Sequence, residues 1–224
     1  MQYSFTLRTI YPYLGELRTA AALTLSLSLL AIVISIVLGT AVAVMRRSRR
    51  RALRIAGAAY VEVMRNTPLL VILYLVYFGG PSFGLRLSSF NAALIGLSLN
   101  AAGYMAEIIR AGLIAVAPGQ FEAASAQGFT TLQSFRYVVF PQVFRTIYAP
   151  LGNQVIAVIL ASSLASAVAV DEVASWMETV GSTSFRFFET FVVAALVYLV
   201  LCQVVNLARL GIGRALFRQP ATTR

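Results

Sequence analysis

The chain of 224 residues is 59% hydrophobic and only 12% charged, with a mean hydropathy of +0.80. That balance excludes an ordinary water-soluble domain and places a single domain, residues 1–224, in a membrane. The net charge of +10 comes from arginine alone, and the arginines gather beside apolar runs, which points to lipid headgroups and topology rather than nucleic acid.

With neither lysine nor histidine in the chain, there is no phosphate-loop lysine, no Schiff base and no histidine-dependent hydrolytic triad or histidine-rich zinc signature. The single cysteine, Cys202, lies in an apolar run and is expected to pack as a small apolar side chain. The sequence offers no catalytic residue and no metal site.

In chain order, segment 1–18 mixes aromatic and charged residues and is expected along a membrane interface. The charge-free stretch 19–45 follows. It is longer than the apolar core of a secretory signal and runs into RRSRRRALR at residues 46–54, so it is read as a retained span. Four more stretches lack charge: 66–85, 87–106, 146–170 and 190–208. Each approaches or exceeds the roughly 20 residues a helix needs to cross the hydrocarbon core. The second begins earlier, near Ile55, and carries Glu62 and Arg65 near one end. Backbone groups in lipid must be satisfied within the segment, which makes these helices. Period-two alternation is absent, which argues against an outer-membrane barrel. The expected fold is therefore an all-α integral membrane protein with five transmembrane helices. The arginine run places residues 46–54 on the cytoplasmic side. Alternation then puts the N-terminus outside, the loop 107–145 inside, the acidic stretch with Asp171, Glu172, Glu178 and Glu189 outside, and the C-terminus inside.

The inner loop, about 116–140, has its own organisation. Pro118 and Gly119 break the third helix. Residues 120–127 are helix formers, and Gly128 can take the left-handed conformation that ends a helix. Pro141 suits the first turn of the helix that follows. A two-turn helix is marginal alone and needs a surface to lie on. Ala123, Ala124 and Ala126 would let a partner's backbone approach closely, and Glu122 is expected in the first turn, where the helix dipole favours a negative charge.

Polar residues inside spans mark a candidate path or interhelical bonding. Thr67 and Pro68 interrupt the second span. Asn100, Tyr104 and Glu107 fall at spacings of four and three, on one face of the third. Asn153, Gln154, Ser162 and Ser163 mark the fourth. Read functionally, Thr67, Pro68, Asn100, Tyr104, Glu107, Ser162 and Ser163 line a solute path. Read structurally, they hydrogen-bond between helices at about 1 kcal/mol per pair. Glu107 has Arg110 or Arg65 as a candidate ion partner, and Gly39, Gly96 and Gly103 suit close helix packing. A membrane-embedded enzyme would need converging side chains, yet Asp171 and Glu172 are adjacent and alternate faces. A coupled carrier would place ionisable groups near the midplane, and charges there are missing.

The order Glu122-Ala123-Ala124, three residues, Gly128, then Phe135 and Pro141 resembles the cytoplasmic loop of permease subunits of ABC importers. VEVMRNTPLLVILYLVYFG, NAAGYMAEIIRAGLIAVAPGQFEAASAQG and VVFPQVFRTIYAPLGNQVIAVILASSLAS are similar to the second, third and fourth spans of the polar amino-acid branch. The resemblance covers nearly the whole chain. It implies that the inner loop is a short cytoplasmic coupling helix whose Glu122, Ala123, Ala124 and Gly128 meet a separate ATPase subunit. ATP and Mg would be held on those partner subunits, with no cofactor on this chain and no enzymatic activity of its own. The other implied partners are an identical or related second permease and an extracytoplasmic solute-binding protein, at the cytoplasmic (inner) membrane of a prokaryote. One departure stands out. Many members carry Lys-Asp-Thr-Ser-Leu in the fourth span, where this chain has Leu160-Ala161-Ser162-Ser163-Leu164. A neutral or non-amino-acid solute therefore stays open as an alternative, as do a channel and a membrane-embedded enzyme.

Overall fold

The computed structural model describes residues 5–217, all helix and connections, with no strand among them. Arg218 and Arg224 of the predicted inner tail, and residues 1–4 of the N-terminal segment, lie outside the described residues. A 3-10 turn, Tyr11–Tyr13, leads into α1 (Leu14–Arg46). Then come α2 (Arg51–Asn66), α3 (Leu69–Tyr77), a 3-10 turn (Gly80–Phe83) and α4 (Ser89–Ala115). The remaining elements are α5 (Pro118–Ala126), α6 (Thr131–Gln133), a π-helical turn (Ser134–Val139), α7 (Phe140–Ala161), a 3-10 stretch (Ser162–Val168), α8 (Val173–Ser184) and α9 (Phe187–Leu216). Helices α1, α4, α7 and α9, with their continuations, are each long and apolar enough to cross a membrane.

The seam of the bundle is α1 against α4, running parallel. Small residues dominate both buried faces: Ala20, Ala31, Gly39 and Ala43 on α1, and Ala92, Ala93, Gly96, Ala101, Ala102 and Ala106 on α4. Lipid supplies no hydrophobic drive between helices, so close backbone approach and dispersion must hold them. Buried hydroxyls on α1 are satisfied within the helix, Ser28 donating to the Thr24 carbonyl and Ser35 to that of Ile32. A side chain at Gly39 would put its Cβ 2.6 Å from Met105 Cβ and 3.0 Å from the Ala102 carbonyl. Gly39→Leu is therefore expected to lower stability by about 1–3 kcal/mol, the usual overpacking range. Thermal unfolding of the detergent-purified protein measures it, and an unchanged midpoint would contradict the tight seam.

The second span is broken. Helices α2 and α3 meet at a bend of 104° across Thr67 and Pro68. Their contacts show that they nevertheless climb the bundle together. Gly57 abuts Met45 and Arg46, Met64 lies against Gly103, Leu73 against Gly96, and Tyr77 accepts a hydrogen bond from Ser89. These partners run from the end of α1 through Gly103 and Gly96 to Ser89 at the start of α4. Five crossings result, with the second in two pieces.

The fourth span differs from its expected form. Pro141 stands in the first turn of α7, as expected, but the span does not begin there. The helix starts at Thr131, under a reciprocal capping box of Thr130 and Gln133, and continues to Val168. Proline has no N–H and crowds the turn before it. Here that turn is π-helical, and the Phe140 N–H reaches back to the Phe135 carbonyl.

At the end opposite the arginine run, α8 lies across the bundle, an element not evident from sequence. Val173, Trp176 and Val180 pack with Ile10, Ala20 and Ala194, and the Trp176 indole donates to the Tyr13 carbonyl. Thus the described part of this segment, residues 5–18, is folded onto the protein: Ile10 is buried, and α1 already begins at Leu14. Helix α9 buries little and presents Leu196, Leu199, Val200, Val204 and Leu207 outward, as a lipid-facing helix does.

Candidate functional site

Helix α5 forms where the short helix was expected, but it starts at Pro118, which suits a first turn because its missing N–H is unneeded there. Glu122 consequently sits in the second turn, beyond the reach of most of the dipole effect. The helix ends as predicted. Gly128 takes φ +81°, and the Gly128 and Phe129 N–H groups bond the Ser125 and Ala124 carbonyls at 3.0 and 3.1 Å. Only Ala124 is buried, while Glu122, Ala123 and Gly128 are exposed. The loop rests on a core of Val116, Val139, Val143 and Ile147. Gln142 reaches α5 directly, donating to the Gln120 side chain at 2.9 Å. Around α5 the surface is apolar: Leu132 is 76% exposed, with Phe121, Phe129, Phe135, Tyr137 and Phe140 also exposed. Exposed apolar side chains on and beside a helix that buries one alanine form a patch larger than scattered surface residues.

The second feature is an open cleft of about 370 Å³ between α3, α4 and α7, lined by Leu69, Leu97, Asn100, Tyr104, Gln154 and Ala161, among others. Asn100 and Tyr104 share a face, as their spacing requires, and both also serve the broken span. The Met64 carbonyl would normally accept from residue 68, which is proline. Asn100 Nδ2 donates to it instead at 2.7 Å, and the Tyr104 hydroxyl reaches the Arg65 carbonyl at 3.4 Å. Thr67 closes α2 through its N–H to the Val63 carbonyl, and Pro68 leads into α3. The Gln154 amide, a lining residue of α7, has no hydrogen-bond partner among the described residues, so water, solute or another chain must satisfy it.

The other polar candidates do not line this cleft. Ser162 is buried and donates to the Ile159 carbonyl, and Ser163 donates to that of Leu160. Glu107 is held by Arg46 from the end of α1 and by Arg110 one turn on; Arg65 is not among its partners. The Arg46 contact joins residues 61 positions apart and had no local signal. It fixes the ends of α1 and α4 together and takes Arg46 out of the exposed arginine run.

At the opposite end Asp171 and Glu172 do alternate. Asp171 is exposed and lines a cleft of about 360 Å³ with Glu16, Ser175, Trp176 and Thr179. Glu172 is fully buried. Its carboxylate caps α8 through the Ala174 and Ser175 N–H groups and accepts from Thr24 of α1 and Tyr198 of α9. Burial pushes this carboxyl up, against the hydrogen bonds from Tyr198, the two amides and Thr24. One side chain thereby ties three helices. Among the described residues no group of acidic, histidine or cysteine side chains is placed to hold a metal ion.

Comparison with known proteins matches residues 31–218 to the family model described as "Binding-protein-dependent transport system inner membrane component". The chain is 41% identical to the probable glutamine ABC transporter permease protein GlnM of Bacillus subtilis (strain 168), over 80% of this chain and 82% of that protein. It is 37% identical to the nopaline transport system permease protein NocM of Agrobacterium fabrum (strain C58 / ATCC 33970), over 85% and 83% respectively. A solved structure described as an amino acid ABC transporter with histidines superposes with a TM-score of 0.87 at 32% identity, over 95% of this chain and 100% of that one.

Proposed function

The chain belongs to the family of binding-protein-dependent transport system inner membrane components, and we propose that it is the permease subunit that carries polar amino acids through an ATP-driven importer. It is a multi-pass protein of the inner membrane. The relatives named for glutamine and nopaline transport support the substrate class. The observation that carries the mechanism is α5, a short helix exposed everywhere except Ala124, with exposed apolar side chains on it and in the segment that follows. We assign it to a cleft of a separate ATPase subunit, which holds ATP and Mg. Closure of the ATPase pair moves α5, and Gln120–Gln142 with the Val116–Val143 core passes that motion to α7. Helix α7 carries Gln154 and Ala161 of the mid-span cleft. The cleft is open rather than enclosed, and a second permease chain, identical or related, is assigned to complete the path. The α8 end, with the cleft at Asp171, faces an extracytoplasmic solute-binding protein.

Reconstitution of the chain with its ATPase subunits and receptor tests this reading. Receptor-dependent amino-acid uptake at the expense of ATP is the expected result. Uptake without ATP, or no association with an ATPase, would refute it. The orientation has its own test. Cysteines at positions 48 and 131 are expected to react only from the cytoplasm, and those at 82 and 182 only from outside. Labelling of position 131 from outside in intact cells would reverse the topology and remove α5 from the ATPase.

A further inference from the structure

From sequence, Arg65 falls near the inner end of a span, and the middle of the bundle holds no charge. The structure keeps it near that end and turns it toward the cleft. Arg65 closes the last turn of α2, immediately before the 104° break, and its guanidinium carbon lies 5.3 Å from the centre of the Tyr104 ring. Tyr104 lines the mid-span cleft. At 1.5 Å per residue it stands roughly 23 Å along α4 from Ser89 but only about 5 Å from Glu107, which pairs with Arg46 at the end of α1, so it lies near the inner end of the crossing. A cation therefore stands at the inner side of a cleft that is itself lined by uncharged groups.

Among the described residues Arg65 enters no ion pair. Glu107 is already occupied by Arg46 and Arg110, and the Glu62 carboxylate accepts from Asn66 at 2.9 Å. The ring of Tyr104 and the carbonyl end of α2 offset part of the charge. Both leave the planar, bidentate edge of the guanidinium unused, and Arg65 is exposed. Such an edge matches a carboxylate better than any other small anion common to amino acids.

We propose that Arg65 receives the carboxylate of the amino acid in the cleft and holds it during passage to the arginine end of the bundle. This rests on the transport reading above and adds to it a specificity-determining contact, one that every amino acid satisfies whatever its side chain.

The test is reconstituted complex carrying Arg65→Gln or Arg65→Lys, with receptor-stimulated ATP hydrolysis and amino-acid uptake measured together. Arg65→Gln is expected to retain ATP hydrolysis and lose about tenfold or more in uptake per ATP, with Arg65→Lys recovering part of it, because the charge remains while the bidentate geometry is lost. A residue that only braces the fold would lower hydrolysis, uptake and thermal stability together, and that pattern overturns the assignment. So does unchanged uptake per ATP in Arg65→Gln. A third overturning result is rescue of Arg65→Glu by Glu62→Arg, which would show that the two pair across a dimer of identical chains. Wild-type complex without amino-acid uptake would instead sink the transport reading itself, and the role of Arg65 with it.

Discussion

Gly128→Val is expected to leave the bundle folded and inserted while cutting ATP-driven uptake about tenfold or more, the effect of roughly 1.4 kcal/mol on a coupled step. At φ +81° a side chain is strained whatever the space around it, and here a Cβ would meet nothing within 4 Å. The cost is therefore in the backbone, about 1–3 kcal/mol for a residue held in this region and highest for a β-branched one. The chain can relieve it by leaving the left-handed conformation, which breaks the 3.0 and 3.1 Å bonds that close α5 and swings the helix away from its partner. Glu122→Lys reaches the same end by another route. Glu122 is exposed and lies past the first turn, so reversing its charge costs the helix little and disturbs what docks on it. Neither substitution touches a span. Receptor-stimulated ATP hydrolysis and uptake, measured on one preparation, should separate in both variants. Normal coupling in both would remove α5 from the ATPase interface.

The coupling loop was readable because its signals are local. A proline, a run of helix formers and a glycine lie within about a dozen positions, and each acts through the backbone of its immediate neighbours. The start of α5 moved by two residues only because Pro118 serves as a first turn as well as a break. Span count was readable for the same reason, since hydrocarbon thickness sets a length that composition reveals. What the sequence concealed depends on distant partners. Pro68 announced an interrupted ladder, but a bend of 104° requires Asn100, 36 positions away, to accept the task of bonding the Met64 carbonyl. Pro141 does mark the first turn of α7, but the sequence did not show that a π-helical turn absorbs the missing N–H and joins α7 to the helix before it. Glu172 looked like one acid in an outer loop. Its burial follows from Thr24 and Tyr198, contributed by the first and last long helices, and α8 exists because that carboxylate caps it. Polar residues in the spans were visible individually, while their division between cleft and structure was not. Asn100 and Tyr104 serve both, and Ser162 and Ser163 bond within their own helix.

Ala161→Asp, made in the complex of this chain with its ATPase and receptor, is expected to raise uptake of a cationic amino acid over a neutral one by about tenfold or more. The stretch Leu160-Ala161-Ser162-Ser163-Leu164 lacks the Lys-Asp pair common in proteins it resembles, and the structure shows that the two missing positions are not equivalent. Ala161 lines the mid-span cleft beside Ala157 and Gln154. Leu160 is half-exposed and is absent from that lining. An aspartate at 161 therefore enters the path, and a lysine at 160 does not. A carboxylate at this depth costs about 2.5–3.5 kcal/mol, while its attraction to a cation 4 Å away is about 4 kcal/mol at an effective dielectric of 20. A cationic solute thus offsets the cost and a neutral one does not, which is ample for a tenfold ratio at 1.4 kcal/mol per decade. Leu160→Lys should leave the ratio unchanged. The measurement is competition between the two solutes, delivered by one receptor that accepts both. It also decides whether a second, different permease is needed, because full uptake by the complex of this chain alone makes one unnecessary. A shift in Leu160→Lys with none in Ala161→Asp would mean that α7 turns its other face to the solute and that the cleft at Asn100 and Gln154 is a packing groove.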